Sequence, residues 1–234
     1  MHYLKLLFLY VVNISNTLIL FATLPGLGLK GTRCVFVSIK AAASSVQCFN
    51  CTLKRVRLTI DGANNQFICS NAKLNNTSIT IAGSGNVVQI ESGVILREGT
   101  LIVRGNNCSI YIGKGTTFGG VRIITVGDGS SVQIGEDCLF ADNIEIWSSD
   151  THPIYDETDT VINPHGNINI SDRVWVGARA VILKNVSIGA DCVVGMSSVV
   201  SKSVEKSSVV VGNPCRVVRQ GIKWGLNYPN VGGL

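Results

Sequence analysis

Aliphatic residues return along this chain at two fixed steps. In the second half, Ile170, Val176, Ile182, Ile188, Val194 and Val200 stand six apart without a break. Four residues after each comes a small or modest one: Val174, Ala180, Val186, Cys192, Ser198 and Val204. Gly177, Gly189 and Gly195 directly follow three of the key aliphatics. In the first half the step is 22, kept by Ile68, Ile90, Ile112 and Ile134 and by Asp61, Gly83, Gly105 and Gly127. Each longer unit reads as an apolar strand, a Gly/Asn turn, and a strand such as Ser-Ile-Tyr-Ile-Gly (109–113) or Ser-Val-Gln-Ile-Gly (131–135).

A helix cannot use a step of six, because each step turns the chain by about 600° and successive key residues drift around the axis. A flat strand alternates every second residue and needs no turn every six. A three-sided coil does use it: each side is a short strand, each corner a turn, and one aliphatic per side points inward. Stacked coils then bury a continuous Ile/Val column, and backbone hydrogen bonds run from coil to coil. The 22-residue units fit the same coil with about four extra residues in one turn. Residues 30–57 follow neither step, which predicts an irregular first coil.

The series runs through Ile134, Phe140 and Ile146 and then fails until Ile170. Between them lie Asp150, Asp156, Glu157, Asp159, two prolines and two of the three histidines. So polar a stretch cannot fill the inner column and is expected to loop out, over about 147–167; loops on rigid scaffolds are where sites tend to sit. His152 is the candidate general base, because an imidazole takes up a proton near neutral pH. Asp150, two residues earlier, is placed to orient its ring. The plain alternative is a surface loop histidine without a role. Asn163 and His165 sit in Asn-Pro-His-Gly, a turn signal first.

Residues 6–24 carry no charge. On a helix, Leu4, Leu7, Phe8, Val11, Ile14, Leu18 and Phe21 share one face, and Asn13, Asn16 and Thr17 another. This predicts an apolar amino-terminal helical segment (1–30). Four roles stay open for residues 4–24: a helix on a membrane surface or partner, a helix packed on its own domain, a membrane span, or a signal. Pro25, Gly26, Gly28 and Gly31 mark the boundary. The coil domain is then 31–220 and a carboxy-terminal cap or tail 221–234, with Trp224 and Tyr228 expected to close the last coil. A cytoplasmic location, peripheral on the inner face of the membrane, suits this arrangement.

Composition supports an all-β reading. Charged residues are 15% of the 234, against roughly a quarter in an average domain. Val, Ile, Ser, Asn and Gly dominate, which excludes a disordered tail or a long helical rod and favours short strands with tight turns. The net charge is +5, and no Lys/Arg run exceeds two, so no nucleic-acid partner is expected. Of eight cysteines, only Cys48 and Cys51 lie close together in sequence, which reads as reduced, mostly buried thiols and no metal site. A metal hydratase on such a coil needs three histidine ligands, and one of the three here, His2, lies in the apolar head. An ice-binding or purely scaffolding coil would show flat threonine arrays, which are absent.

Ser-Asp-Thr-His-Pro-Ile (149–154), Val-Trp-Val-Gly-Ala (174–178), Val-Ile-Leu-Lys-Asn-Val-Ser-Ile-Gly (181–189), Ser-Val-Val-Ser-Lys (198–202) and Gly-Asn-Pro-Cys-Arg-Val-Val-Arg (212–219) together resemble the hexapeptide-repeat acyltransferases. Their look is closest to the sugar and polysaccharide O-acetyltransferases, over about residues 58–224. The resemblance implies a left-handed parallel β-helix, a homotrimer with its active site between subunits, and acetyl-CoA as co-substrate with a carbohydrate acceptor. It makes His152 the base that deprotonates an acceptor hydroxyl for direct attack on the thioester, with Trp175 flanking the site. It places coenzyme A along Ala178, Met196, Ser201, Lys202, Arg216 and Arg219. Transfer to the amine of an amino sugar would use the same base and coil.

Overall fold

The computed structural model describes residues 13–14, 17–19 and 35–227. They form a parallel β-helix with three strand faces and, among the described residues, no helix. Face one stacks Ser45–Phe49, Gln66–Ser70, Val87–Ile90, Ser109–Ile112, Ser131–Ile134, Ile168–Ile170 and Val186–Ile188. Face two stacks Ile95–Leu96, Thr117–Phe118, Leu139–Phe140, Trp175–Val176, Val193–Val194 and Ser208–Gly212. Face three stacks Gly99–Asn106, Val121–Val126, Ile144–Trp147, Val181–Leu183 and Val199–Val200. The long strands Thr52–Ala63 and Lys73–Ser84 bend across faces two and three of the first coils.

The key aliphatics fill the centre. Ile134, Ile170 and Ile188 pair in one column, Phe140, Val176 and Val194 in a second, Ile146, Ile182 and Val200 in a third, and all are buried. Phe118 and Phe140 stack inside the coil with ring centroids 4.6 Å apart. The small residues of the repeat are buried at the corners: Val174, Ala180, Val186, Cys192, Ser198 and Val204. Buried thiols there donate to the carbonyl of the next coil, Cys108 to Gly127 at 3.0 Å, Cys138 to Ser171 at 3.2 Å and Cys192 to Glu205 at 3.0 Å. Burial pushes the Cys138 thiol up to about 11, so it packs as a small apolar group rather than reacting as a thiolate.

The extra residues of the 22-residue units fall on one side. From Ile90 to Leu96 is six residues, from Leu96 to Leu101 five, and from Leu101 to Ile112 eleven. The long side turns inward around a polar ladder that periodicity alone does not show. Asn65 and Asn86 are fully buried. Asn65 Nδ2 donates to the Gly83 carbonyl at 2.8 Å, Asn86 Nδ2 to Gly105 at 2.9 Å, and the Asn86 and Cys108 amides donate to the carboxamide oxygens of Asn65 and Asn86. Each buried carboxamide thereby satisfies backbone groups that a wide corner would leave unpaired.

Three expectations are corrected. The first coil is regular, because Val37, Leu58 and Ile79 align in the same column at a step of 21; a step one residue shorter than its successors escapes a search for 22. Of the segment read as helical, Asn13–Ile14 and Thr17–Ile19 are strands, and Thr17–Ile19 pairs antiparallel with Phe36–Ala42. An open strand edge offers unpaired backbone groups that another strand satisfies and a helix does not. The rest of residues 1–34 lies outside the described residues. Finally, the far end is closed not by Trp224 but by Cys215–Gln220, which pairs antiparallel with Ser208–Gly212. Residues 221–227 then climb back along the wall: the Ile222 amide donates to Ser207, and Trp224 Nε1 to the Arg173 carbonyl at 2.7 Å. Tyr228 lies outside the described residues.

Coils approach closely along the glycine ladder of the wide corner. Gly83 has φ +112°, and a Cβ there would lie 1.9 Å from the Gly105 carbonyl oxygen. Gly129, at φ +75°, would meet nothing. Gly83→Ala is therefore expected to cost about 3 kcal/mol or more, and Gly129→Ala only about 1–2 kcal/mol. Urea melts of the two variants check the order; equal losses would mean that close coil approach does not constrain this corner.

Candidate active site

The polar interruption leaves the coil at one point and returns to it at the same point. The Ser148 amide donates to the Ile124 carbonyl at 2.9 Å, and the Gly166 amide donates to the Ser148 carbonyl at 2.8 Å, closing a neck. Ile134 then pairs directly with Ile170, so the column continues as if the loop were not there. Beyond the neck the chain makes a small hairpin. Tyr155 and Val161 bridge, and the Ile162 amide donates to the Ile154 carbonyl. At its tip one carboxylate oxygen of Asp156 accepts from the Thr158 and Thr160 amides and the Thr158 hydroxyl. His165 braces the returning strand, its Nε2 donating to the Asp128 carbonyl at 2.7 Å while its ring fills the space a Cβ on Gly127 would need.

The base of the loop is tied to the scaffold by one cation. Lys184 Nζ, at the corner after Val181–Leu183, donates to Asp150 Oδ2 at 2.5 Å and to the Asn163 carbonyl at 3.0 Å. Asn163 Nδ2 donates to Asp150 Oδ2 at 2.8 Å and to the His152 carbonyl at 2.9 Å, and its Oδ1 accepts from the Ile154 amide. The side-chain bonds from Lys184 and Asn163 hold the Asp150 carboxyl below the usual carboxylate range. That carboxyl is thus spent on Lys184 and Asn163 rather than on the His152 ring: Asp150 fixes the backbone on which His152 stands. Asn163, read from sequence as a turn residue, and Lys184, an unremarked cation inside a repeat, are the two residues that complete this clasp.

His152 is exposed and lines an open cavity of about 340 Å³ on face three. Its other walls are Ile102, Arg104, Arg122, Ile124, Val126, Trp147 and Thr151. Trp147 donates through Nε1 to Glu145 at 2.8 Å, and the Arg122 guanidinium lies over its ring, 5.2 Å from the centroid. A proton acceptor beside a cavity with an aromatic wall can take a proton from a bound hydroxyl or amine.

The remaining predicted residues lie elsewhere on the surface. Trp175 is on face two, 40% exposed, with its ring 6.1 Å from Trp224, so within one chain it does not meet His152. Ala178 and Met196 are stacked at the corner between faces two and three, where the Ser197 amide donates to the Ala178 carbonyl at 2.8 Å. Met196 projects outward, and its sulfur accepts from Arg179 Nη2. Ser201 and Lys202 are exposed at the next corner; the Ser201 amide lies against the Cys215 sulfur, which brings the closing strand to them. Arg216 and Arg219 pair with Val211 and Val209 across a β-bulge. The bulge matters: three residues apart they would face opposite sides of a regular strand, and the extra residue returns both to one side.

The bacterial transferase hexapeptide family (six repeats) matches residues 167–202. The chain carries the hexapeptide repeat. A polysialic acid O-acetyltransferase of Escherichia coli O1:K1 / APEC is 33% identical to this chain over 125 residues, 53% of this chain and 40% of the relative. The galactoside O-acetyltransferase of Escherichia coli (strain K12) is 34% identical over 117 residues, 48% and 54% of the two chains. The chain thus spans about half the length of these relatives. The crystal structure of the polySia-specific acetyltransferase NeuO superposes with a TM-score of 0.78 at 27% identity, over 86% of this chain and 92% of that one.

The clasp generates a prediction about the loop alone. Lys184→Met is expected to raise amide exchange across 149–163 by about tenfold or more while leaving exchange in the face-three strands unchanged. Acid should act in the same place. A carboxyl whose folded pKa is depressed contributes stability above its unfolded value, near 4, and that contribution is lost as pH falls through the lower folded value. Loop protection in the wild type, taken relative to the intrinsic exchange rate at each pH, is therefore expected to hold through pH 5 and to fall only below about pH 4. A loop equally protected in Lys184→Met would show that this clasp holds nothing.

Proposed function

We propose that this protein is an acetyl-CoA-dependent O-acetyltransferase that acts on a sugar hydroxyl of a surface polysaccharide or its precursor, with His152 as general base. The observation that carries it is the clasped loop that stands His152 at the mouth of a cavity on an otherwise regular hexapeptide coil. The relatives named as O-acetyltransferases support the reaction class.

His152 takes the acceptor hydroxyl proton as that oxygen bonds to the acetyl carbon. The carbon–sulfur bond breaks, and the imidazolium returns the proton to the departing sulfur, so no acyl-enzyme is needed. Coenzyme A supplies an acetyl group already activated as a thioester. Small Ala178 leaves room at its corner for a slender chain, and Lys202, Arg216 and Arg219 offer cations for phosphates; the shared side of Arg216 and Arg219 supports this. Met196 makes the same corner narrower than a smaller residue would. Trp175 lies on a different face from His152, and the apolar side chains of Ile154, Tyr155, Val161 and Ile162 are exposed on the loop. Both features suit a site shared between copies in a homotrimer.

Incubation with labelled acetyl-CoA and a glycan panel tests the reading. Label lost in mild alkali identifies an ester; alkali-stable label would replace O-transfer with transfer to an amine. His152→Ala is expected to cut turnover by about a hundredfold or more with an unchanged melting profile, and full turnover in that variant removes its role. Lys202→Ala with Arg219→Ala is expected to raise the KM for acetyl-CoA by about tenfold with little change in kcat; an unchanged KM removes these two residues from phosphate binding.

A further inference from the structure

We propose that Cys51 and Cys69 form an oxidation site, at which a peroxide converts the two thiols into a disulfide that staples the first described coil to the second. The inference is independent of the acyl-transfer reading, and neither cysteine lines the cavity beside His152.

Two buried columns meet at this point. One is a corner column. The Thr52 and Lys73 amides donate to the carbonyls of Ala72 and Val94 one coil on, so Cys51, Ala72 and Val94 stand in line, all buried. The other is an inward column of face one. There Cys48 is level with Cys69 and Cys69 with Ile90, and Ile112, Ile134, Ile170 and Ile188 follow. Isoleucine fills the position in those later coils, so packing alone does not call for sulfur in the first two. Cys51 Sγ lies 3.4 Å from Cys69 Sγ. The buried thiols of Cys108, Cys138 and Cys192 meet carbonyl oxygens instead.

The two sulfurs differ in acidity. The hydrogen bond shared with Cys69 brings the Cys51 thiol down to about 7, while the same bond and burial raise the Cys69 thiol. Near neutral pH Cys51 is therefore partly thiolate and Cys69 keeps its proton. The Cys51 thiolate attacks one peroxide oxygen, the O–O bond breaks, and the departing hydroxide is protonated to water, leaving a sulfenic acid. The Cys69 sulfur then bonds to the Cys51 sulfur. The S–O bond breaks, and the hydroxyl leaves with the Cys69 proton as a second water. In all, two thiols give up two electrons and two protons, and the peroxide takes up both. The sulfurs close from 3.4 Å to about 2 Å.

Access follows from position. Cys51 is 1% exposed and Cys69 0%, so the closed coil shields both. Ser45–Phe49, however, is the edge strand of face one, its Cys48 is exposed, and Cys69 lies one strand in. On this face the first coil has a neighbour on one side only, and the end of a solenoid opens before its middle. Opening admits a peroxide, which is little larger than water. The bond then ties residues 18 apart in sequence, one coil, and holds the end shut. Oxidation thus hardens the solenoid where it frays first.

The full-length protein, fully reduced and then treated with stoichiometric hydrogen peroxide, is followed by intact mass, peptide mapping and amide exchange. The expected result is a loss of two hydrogens with no oxygen added, and a Cys51–Cys69 crosslink. Exchange across 45–63 should slow by about tenfold or more and recover when a dithiol reduces the bond. Cys48→Ser should leave these results unchanged. Cys69→Ile, which restores the residue of the later coils, and Cys51→Ala, which keeps the corner small, should each abolish the crosslink and make exchange indifferent to peroxide. Three outcomes in the unaltered protein overturn the proposal: oxidation of Cys48 with Cys51 and Cys69 still reduced, a crosslink through Cys48, or a Cys51–Cys69 crosslink that leaves exchange at 45–63 as it was.

Discussion

Each coil of this protein must pass its backbone hydrogen bonds to the next at matched height, and that constraint governs the rest of the structure. The bonds run between coils rather than within them, so a strand that slipped by one residue would turn its aliphatics outward along the whole face. The inward columns prevent this. The same requirement explains why corner residues are small, why buried thiols and carboxamides donate across the gap, and why glycine stands where one coil's backbone approaches the carbonyl of the next. It also decides how a loop can be inserted. Eighteen residues, 148–165, leave and rejoin at one neck, because Gly166 bonds Ser148 and Ile134 bonds onward to Ile168–Ile170 without a gap.

A loop admitted on those terms is free of the coil's pattern and can carry polar chemistry, but it has lost the coil's means of being ordered. Lys184 restores that. Its position is set by the rigid corner after Val181–Leu183, and from there it reaches both the outgoing strand at Asp150 and the returning strand at Asn163. Two chain directions are pinned by one ammonium group. The Asp150–Lys184 pair, with Asp150 exposed and Lys184 half-buried, acts locally, on the geometry of the residues between.

The parts of the fold legible in sequence are those that repeat. Ile170 through Val200 announce the coil, and the polar stretch after Ile146 announces a loop with His152 on it. What stayed hidden was non-periodic or local to a single pairing. Asn65 and Asn86 look like turn residues, because burial of a carboxamide depends on carbonyls 18–19 residues away in sequence. Lys184 looks like a solvated charge, since its partners belong to a loop whose path is not encoded by any period. Val218 looks like one more strand residue, although as the bulge it decides the side on which Arg219 emerges. The segment around Thr17 has both the spacing of a helix face and the β-branched content of a strand, and the unpaired edge of Phe36–Ala42 tips the balance.

Charge placement gives the surface its direction. On the outer side of face three Arg104 and Arg122 make no ion pair among the described residues, while Asp150, the acid closest to His152 in sequence, is paired with Lys184. Pairing Asp150 with a scaffold cation therefore does two things at once. It orders the loop, and it neutralises a negative charge at the mouth of the cavity. Had Asp150 contacted the imidazole instead, the base would be stronger but the mouth of the cavity more negative, opposing the field of the two arginines. The clasp and the arginine pair are thus parts of one electrostatic arrangement, in which the scaffold takes up the acid so that the cavity stays positive.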